Sequence, residues 1–152
     1  MPTFTVTQTV QAPVADVFAV FADVENAASR ITEILRIEKL TPGPVGVGSR
    51  FKETRVMFKR EATETFEVTA FEPGDNYELT ATSCGAEFCT RFTFTPDGNG
   101  TRVDVTVQTR ALSLYAKLFT PMAFLMKGMM RKCLIRDLEQ LRTAVETKRT
   151  AA

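Results

Sequence analysis

The side chains best placed to do chemistry are two glutamates and an arginine on neighbouring segments. Phe51, Glu53, Arg55 and Met57 alternate along one segment, and Glu64, Phe66 and Val68 along the next. Residues two apart in an extended strand share a face. If Phe51, Met57 and Phe66 face a core, Glu53, Arg55 and Glu64 therefore face it too. Two carboxylates with an arginine between them can hold a polar group of a ligand, or raise one carboxyl pKa far enough for acid–base work. The alternative is a solvated salt-bridge cluster at the open end of a sheet, or a bulge that turns these residues outward, because inward charge is costly unless paired. Tyr77 falls in the same inward phase, where its hydroxyl either meets a ligand or finds one partner in a packed core. Glu53, Arg55, Glu64 and Tyr77 are the candidate catalytic residues.

Several chemistries are excluded or disfavoured. The chain has no histidine, which removes the commonest general base and every Ser/His or Cys/His nucleophile arrangement. Cys84, Cys89 and Cys133 stand at spacings that match no zinc pattern, so no metal and no cofactor is expected. With a net charge of +1 and interspersed charges, no basic face suited to nucleic acid is legible in the sequence. The stretch from Leu112 to Met130 is apolar but interrupted by Lys117, Pro121 and Lys127. A bilayer-crossing helix needs about 20 mostly apolar residues, so stable membrane insertion is not expected. No signal peptide is legible at the start, and a cytoplasmic protein with reduced thiols is the expectation.

The elements that must position these residues are marked by changes of period. Thr3, Thr5, Thr7 and Thr9 alternate with Phe4, Val6 and Val10, which predicts a half-buried strand. After Pro13, Val14, Val17, Phe18 and Phe21 recur at helical spacing, and Asp23 is placed to cap a second short helix reaching about Arg30. Strands are then predicted over roughly 31–40, 49–58, 60–72, 76–83, 87–96 and 101–110, separated by turns such as Pro73-Gly74-Asp75 and Asp97-Gly98-Asn99-Gly100. The apolar face runs through Phe66, Val68 and Ala70, then Tyr77, Leu79 and Ala81, then Phe88, Phe92 and Phe94, then Val103, Val105 and Val107. A long amphipathic helix over most of 113–146, irregular near Pro121, closes the chain. Met122, Met126, Met129, Met130 and Cys133 cluster on it, and methionine adapts to irregular space. The basic residues Lys117, Lys127, Arg131, Lys132 and Arg136 border that cluster, as a solvated face or an attraction to anionic headgroups.

Particular runs of residues carry a resemblance. They are Val10-Gln11-Ala12-Pro13-Val14-Ala15-Asp16-Val17-Phe18, Phe21-Ala22-Asp23-Val24-Glu25-Asn26 and Val45-Gly46-Val47-Gly48-Ser49-Arg50-Phe51. Further on come Glu67-Val68-Thr69-Ala70-Phe71-Glu72-Pro73, Gly98-Asn99-Gly100-Thr101-Arg102-Val103 and Arg136-Asp137-Leu138-Glu139-Gln140-Leu141. In order and spacing the chain resembles the START-like (SRPBCC) superfamily, in its polyketide cyclase/dehydrase and lipid-transport branch. Relatives often carry a tryptophan where this chain reads Ala27-Ala28-Ser29-Arg30-Ile31.

The resemblance implies an α+β helix-grip fold over residues 1–152: a seven-stranded curved antiparallel sheet around a long C-terminal helix, with two short helices after the first strand. It implies a hydrophobic small-molecule binding protein, its ligand a lipid, polyketide or quinone-like molecule between sheet and helix. The expected lining is Phe51, Met57, Phe66 and Phe92 from the sheet and Met126, Met129, Met130 and Cys133 from the helix. The alternatives are a polyketide cyclase or dehydratase-like enzyme, and a module whose apolar helix face docks a protein partner. The oligomeric state is not encoded in any legible pattern.

Overall fold

The computed structural model describes residues 3–57, 59–83, 85–112 and 120–151, with the side chains at 57, 83, 120–127 and 148–151 outside that description. Strand β1 (Thr3–Val10) leads into helix α1 (Val14–Phe21), a 3-10 helix (Val24–Ser29) and strands β2 (Ile34–Lys39), β3 (Arg50–Met57), β4 (Arg60–Glu72), β5 (Asn76–Ser83), β6 (Ala86–Asp97) and β7 (Gly100–Ala111), followed by helix α2 (Thr120–Ala151). The strands form one antiparallel sheet in the order β1-β7-β6-β5-β4-β3-β2. Short turns join β3 through β7 as hairpins, so their sequence order becomes their spatial order. This is the helix-grip architecture.

Alternation decides which face is buried. Phe4, Val6 and Val10 are buried while Thr3, Thr5, Thr7 and Thr9 are exposed, and Val103, Val105 and Val107 continue the buried face on β7. Phe18 of α1 meets Phe71, Tyr77 and Phe94 edge-on at centroid separations of 5.6, 5.9 and 5.1 Å. Such T-shaped contacts align the positive ring edge with a negative ring face. Leu138, Leu141 and Val145 bring α2 onto the same core. A smaller cluster of Val24, Phe51, Phe66 and Val68 lies beneath the 3-10 helix.

Three local expectations need correction. The register shifts between Val68 and Ala70, so Ala70 pairs with Glu78 and Phe71 pairs with Tyr77 on the apolar face. A bulge inserts one residue and reverses the alternation beyond it, which exchanges Ala70 for the larger Phe71 inside. The second short helix is a 3-10 helix, and Asp23 at its start makes no side-chain cap to a backbone amide. Its carboxylate instead accepts from Asn26 Nδ2 and Arg30 Nη1, each near 3.0 Å. The third concerns α2, which continues to Ala151, beyond the expected end at 146. Pro121 lies in the first turn of the described part of this helix. Residues 113–119, which the sequence assigns to the start of this helix, lie outside the described residues.

Candidate functional site

Arg55 is the centre of the polar site. Strand β3 turns it to the concave face, where Nε donates to Glu53 Oε1 at 3.1 Å and Nη2 donates to Asp137 Oδ2 on α2 at 2.9 Å. The three side chains keep only 17, 20 and 14% of their surface exposed, in the order Arg55, Glu53, Asp137. Asp137 Oδ1 is buried and has no hydrogen-bond partner among the described residues. Glu64 faces Glu53 across the β3–β4 ladder, yet it is exposed and makes no ion pair among the described residues. The trio expected from strand parity is therefore rearranged: Glu53 and Arg55 are joined, Asp137 takes the third place, and Glu64 stays at the solvated rim.

The electrostatics follow from one cation shared by two buried carboxylates. Burial raises the Glu53 pKa, Arg55 pulls it down, and the charges of Asp137 and Glu64 push it up again, leaving it above its ordinary value. Asp137 is also raised, by burial against the opposing pull of Arg55, with Glu33 adding to the rise. For Arg55, burial works against the charged form, but Glu53 and Asp137 outweigh it and the guanidinium pKa rises. The site holds its cation firmly and its carboxylates reluctantly.

Asp137 escaped the sequence reading, although a signal for it exists. Cys133, Asp137 and Leu141 are four residues apart, and residues at that spacing share a helix face. An acid on the stripe that carries Leu134, Leu138 and Leu141 must find a buried cation. The same period separates the methionines. Met130 and Leu134 pack against the core, Cys133 is half-buried with a free thiol, and Met129 is 47% exposed. One residue advances a helix by about 100°, so Met129 and Met130 do not share the buried centre of the face. The side chains of Met57 and Met126, and Cys84 as a whole, lie outside the described residues.

Tyr77 is separated from the charged residues. Its ring stacks on Phe92 at 4.5 Å, and its hydroxyl donates to the carbonyl of Phe21 at 2.9 Å. Complete burial holds the phenol well above its ordinary pKa. With its single proton committed to a backbone acceptor, Tyr77 joins α1 to the sheet. Phe51 and Phe66 stack at 5.5 Å in the smaller cluster, Phe51 with no exposed surface. Phe92 is likewise buried in the main core.

The concave face is unevenly covered. Tyr77, Phe92, Phe94, Val103 and Val105 are buried, whereas Leu79, Ala81 and Phe88, on the same face toward the β5–β6 turn, are only half-buried. The continuous β5–β6 register keeps these residues in phase, so a change of face does not account for the difference. One half of this face is packed and the other is partly open. Elsewhere a shallow groove of about 370 Å³, lined by Arg30, Arg136, Glu139, Gln140 and Thr143, lies on the outside of α2. Its polar partners are already engaged, Gln140 with Thr32 and Arg136 with Glu33. Among the described residues, no group of three or more His, Cys, Asp or Glu side chains is arranged to hold a metal ion. No helix among them is long and apolar enough to cross a membrane.

Residues 1–146 match the family described as polyketide cyclase / dehydrase and lipid transport. No curated protein matches the sequence significantly. Among solved structures, TTHA0849 from Thermus thermophilus superposes with a TM-score of 0.77 at 17% identity, over 97% of this chain and 99% of that one. The Zhui aromatase/cyclase from Streptomyces gives 0.78 at 18% identity, over 95% and 93%. A START superfamily protein from Mycobacterium smegmatis gives 0.75 at 16%, over 95% and 97%. At these identities the likeness establishes the fold.

Proposed function

The chain belongs to the polyketide cyclase/dehydrase and lipid-transport family within the START-like superfamily, and on that premise we propose that it binds a hydrophobic small molecule in the open half of its grip. The ligand is a lipid, polyketide or quinone-like molecule whose apolar body lies on Leu79, Ala81 and Phe88 and whose polar group meets Arg55 and Asp137. The observation that carries this reading is the half-burial of those three apolar side chains on a sheet whose strand β3 holds a part-buried ion cluster against α2. Apolar walls with a few placed polar groups are what small-molecule sites require. Phe51, Phe66, Met130 and Cys133, with Met57 and Met126, are assigned to the margin of that space from the sequence. Phe92 and Tyr77 support the wall from the packed half.

Ala81→Trp tests the reading, because it places an indole between Phe66 and Phe88, the residues opposite Ala81 on β4 and β6. Nile red binding is expected to weaken at least about ten-fold, worth about 1.4 kcal/mol, with little change in urea midpoint. A packed core would give the reverse, a stability loss of about 1–3 kcal/mol with probe binding unchanged.

A cyclase or dehydratase activity is the second reading, favoured by one observation: Glu53 and Asp137 are both raised by burial while flanking a firmly charged Arg55. A carboxyl whose pKa is raised by burial is a better proton acceptor than an ordinary one, and a fixed cation beside it can orient a ketone oxygen, which suits aldol-type closure or loss of water. Cyclisation of a synthetic poly-β-ketone faster than in buffer, abolished in Arg55→Met, would support it. A rate equal to buffer would leave binding alone.

A further inference from the structure

The strands sort their ends into two groups. The β3–β4 and β5–β6 turns and the end of β7 lie together, as the pairs Met57↔Arg60, Ser83↔Ala86 and Ala86↔Ala111 require. The β4–β5 and β6–β7 turns lie at the opposite end, closed by Glu72↔Asn76 and Asp97↔Gly100. Helix α2 connects the two. Its Glu146 accepts from the amide of Gln11, just past β1 at the second end, and its Asp137 meets Arg55 close to the first. At a rise of about 1.5 Å per residue, Arg131 is carried about 9 Å farther toward the first end.

The two ends differ in charge. The β4–β5 and β6–β7 turns carry Glu72, Asp75 and Asp97 and no basic residue. At the other end Lys59, Arg60, Arg131 and Lys132 are exposed and make no ion pair among the described residues. From residue 105 through 136 the sequence has no acid at all, yet it contains Arg110, Lys117, Lys127, Arg131, Lys132 and Arg136. Arg110 and Arg136 of this run pair with Glu87 and Glu33, and the far end of α2 carries Arg142, Lys148 and Arg149, so the contrast lies between the hairpin turns and in the start of the helix. The same end exposes 49% of Leu112 and 47% of Met129.

We propose that this open end docks peripherally on an anionic lipid bilayer, with Lys59, Arg60, Arg131 and Lys132 at the lipid phosphates and Leu112 and Met129 at the acyl boundary. Exposed cations that make no ion pair among the described residues, at the same end as two exposed apolar side chains, match such an interface, where both kinds of group gain at once. The cations stand on separate elements, a hairpin turn and a helix, so a broad charged plane engages them together. Docking here turns the half-open face toward the membrane, but the proposal stands independently of any bound ligand.

Co-sedimentation with phosphatidylcholine vesicles, with and without phosphatidylglycerol, tests it. Binding is expected only with the anionic lipid, and it should fall as salt rises. Each basic residue near such a surface contributes about five-fold in partitioning, so Lys59→Gln/Arg60→Gln/Arg131→Gln/Lys132→Gln should lose several hundred-fold, to about background. Arg50→Gln/Lys52→Gln, at the far end of β3, should bind as the parent does. Equal binding to both vesicles, no binding to either, or an unaffected quadruple variant overturns the proposal. Self-association of the parent that the quadruple variant loses, without vesicle binding, assigns the surface to a second copy and also overturns it. Nile red titration in the absence of vesicles reads the ligand site separately, so the two proposals fail independently.

Discussion

Replacing Arg55 by methionine removes the one cation between Glu53 and Asp137, which hold it at 3.1 and 2.9 Å. Breaking a buried pair by deleting one partner costs about 3–5 kcal/mol, because the remaining charge is left uncompensated. Here two carboxylates are left, both already raised by burial. An acid whose folded pKa is raised favours the native state below its unfolded pKa, and that advantage is lost as pH rises through the folded pKa. Removing Arg55 raises both carboxyls further, so the penalty must grow with pH, by about 1.4 kcal/mol for each unit of added shift. Urea unfolding at about pH 4 and about pH 7.5 reads this directly, and with a slope near 2 kcal/mol/M the midpoint at the higher pH should fall by about 2 M. At the lower pH the loss should be smaller, since a larger share of each raised carboxyl is then neutral. Adding Glu53→Gln and Asp137→Asn to Arg55→Met should restore stability at the higher pH. An equal loss at both pH values, or no recovery in the triple variant, would refute the electrostatic reasoning and leave only lost packing.

Other substitutions separate the core from the site. Tyr77→Phe should cost about 1–3 kcal/mol through the unsatisfied Phe21 carbonyl, with Nile red affinity unchanged; a large affinity change would return Tyr77 to the ligand. Leu138→Ala, at 1% exposure, should cost about 2–5 kcal/mol, whereas Met129→Ala should stay within about 0.5 kcal/mol. A thermal melt of Gly100→Ala should show marked destabilisation, because the new Cβ would stand 2.7 Å from the Val10 carbonyl oxygen; an unchanged melt would mean that β1 yields easily there.

The strands were legible because two signals agree along most of them. In β4 and β5 the alternation and the Pro73-Gly74-Asp75 turn fix bounds that match 60–72 and 76–83. The bulge near Ala70 was not legible, since a bulge leaves good strand pattern on both sides; the adjacent apolar pair Ala70-Phe71 is its only trace. On α2, residue type groups Met129 with Met130, while helical phase separates them by about 100°. Asp137 reads by charge as part of a mixed surface and by phase as part of the buried stripe, and phase prevails because Arg55 offsets its burial. Parity placed Glu53 and Arg55 on the right face. The reach of each side chain across to α2 depends on sheet curvature, which no local pattern encodes.

Methyl and aromatic NMR shifts during titration with Nile red test the central claim most directly. If the ligand lies in the open half of the grip, the resonances of Leu79, Ala81, Phe88 and Met130 move together with the Arg55 Nε–H, while Val10, Val103 and Val145 in the packed half stay still. Shifts confined to exposed positions such as Leu35 and Val47, or a titration that moves none of the concave residues, would contradict it.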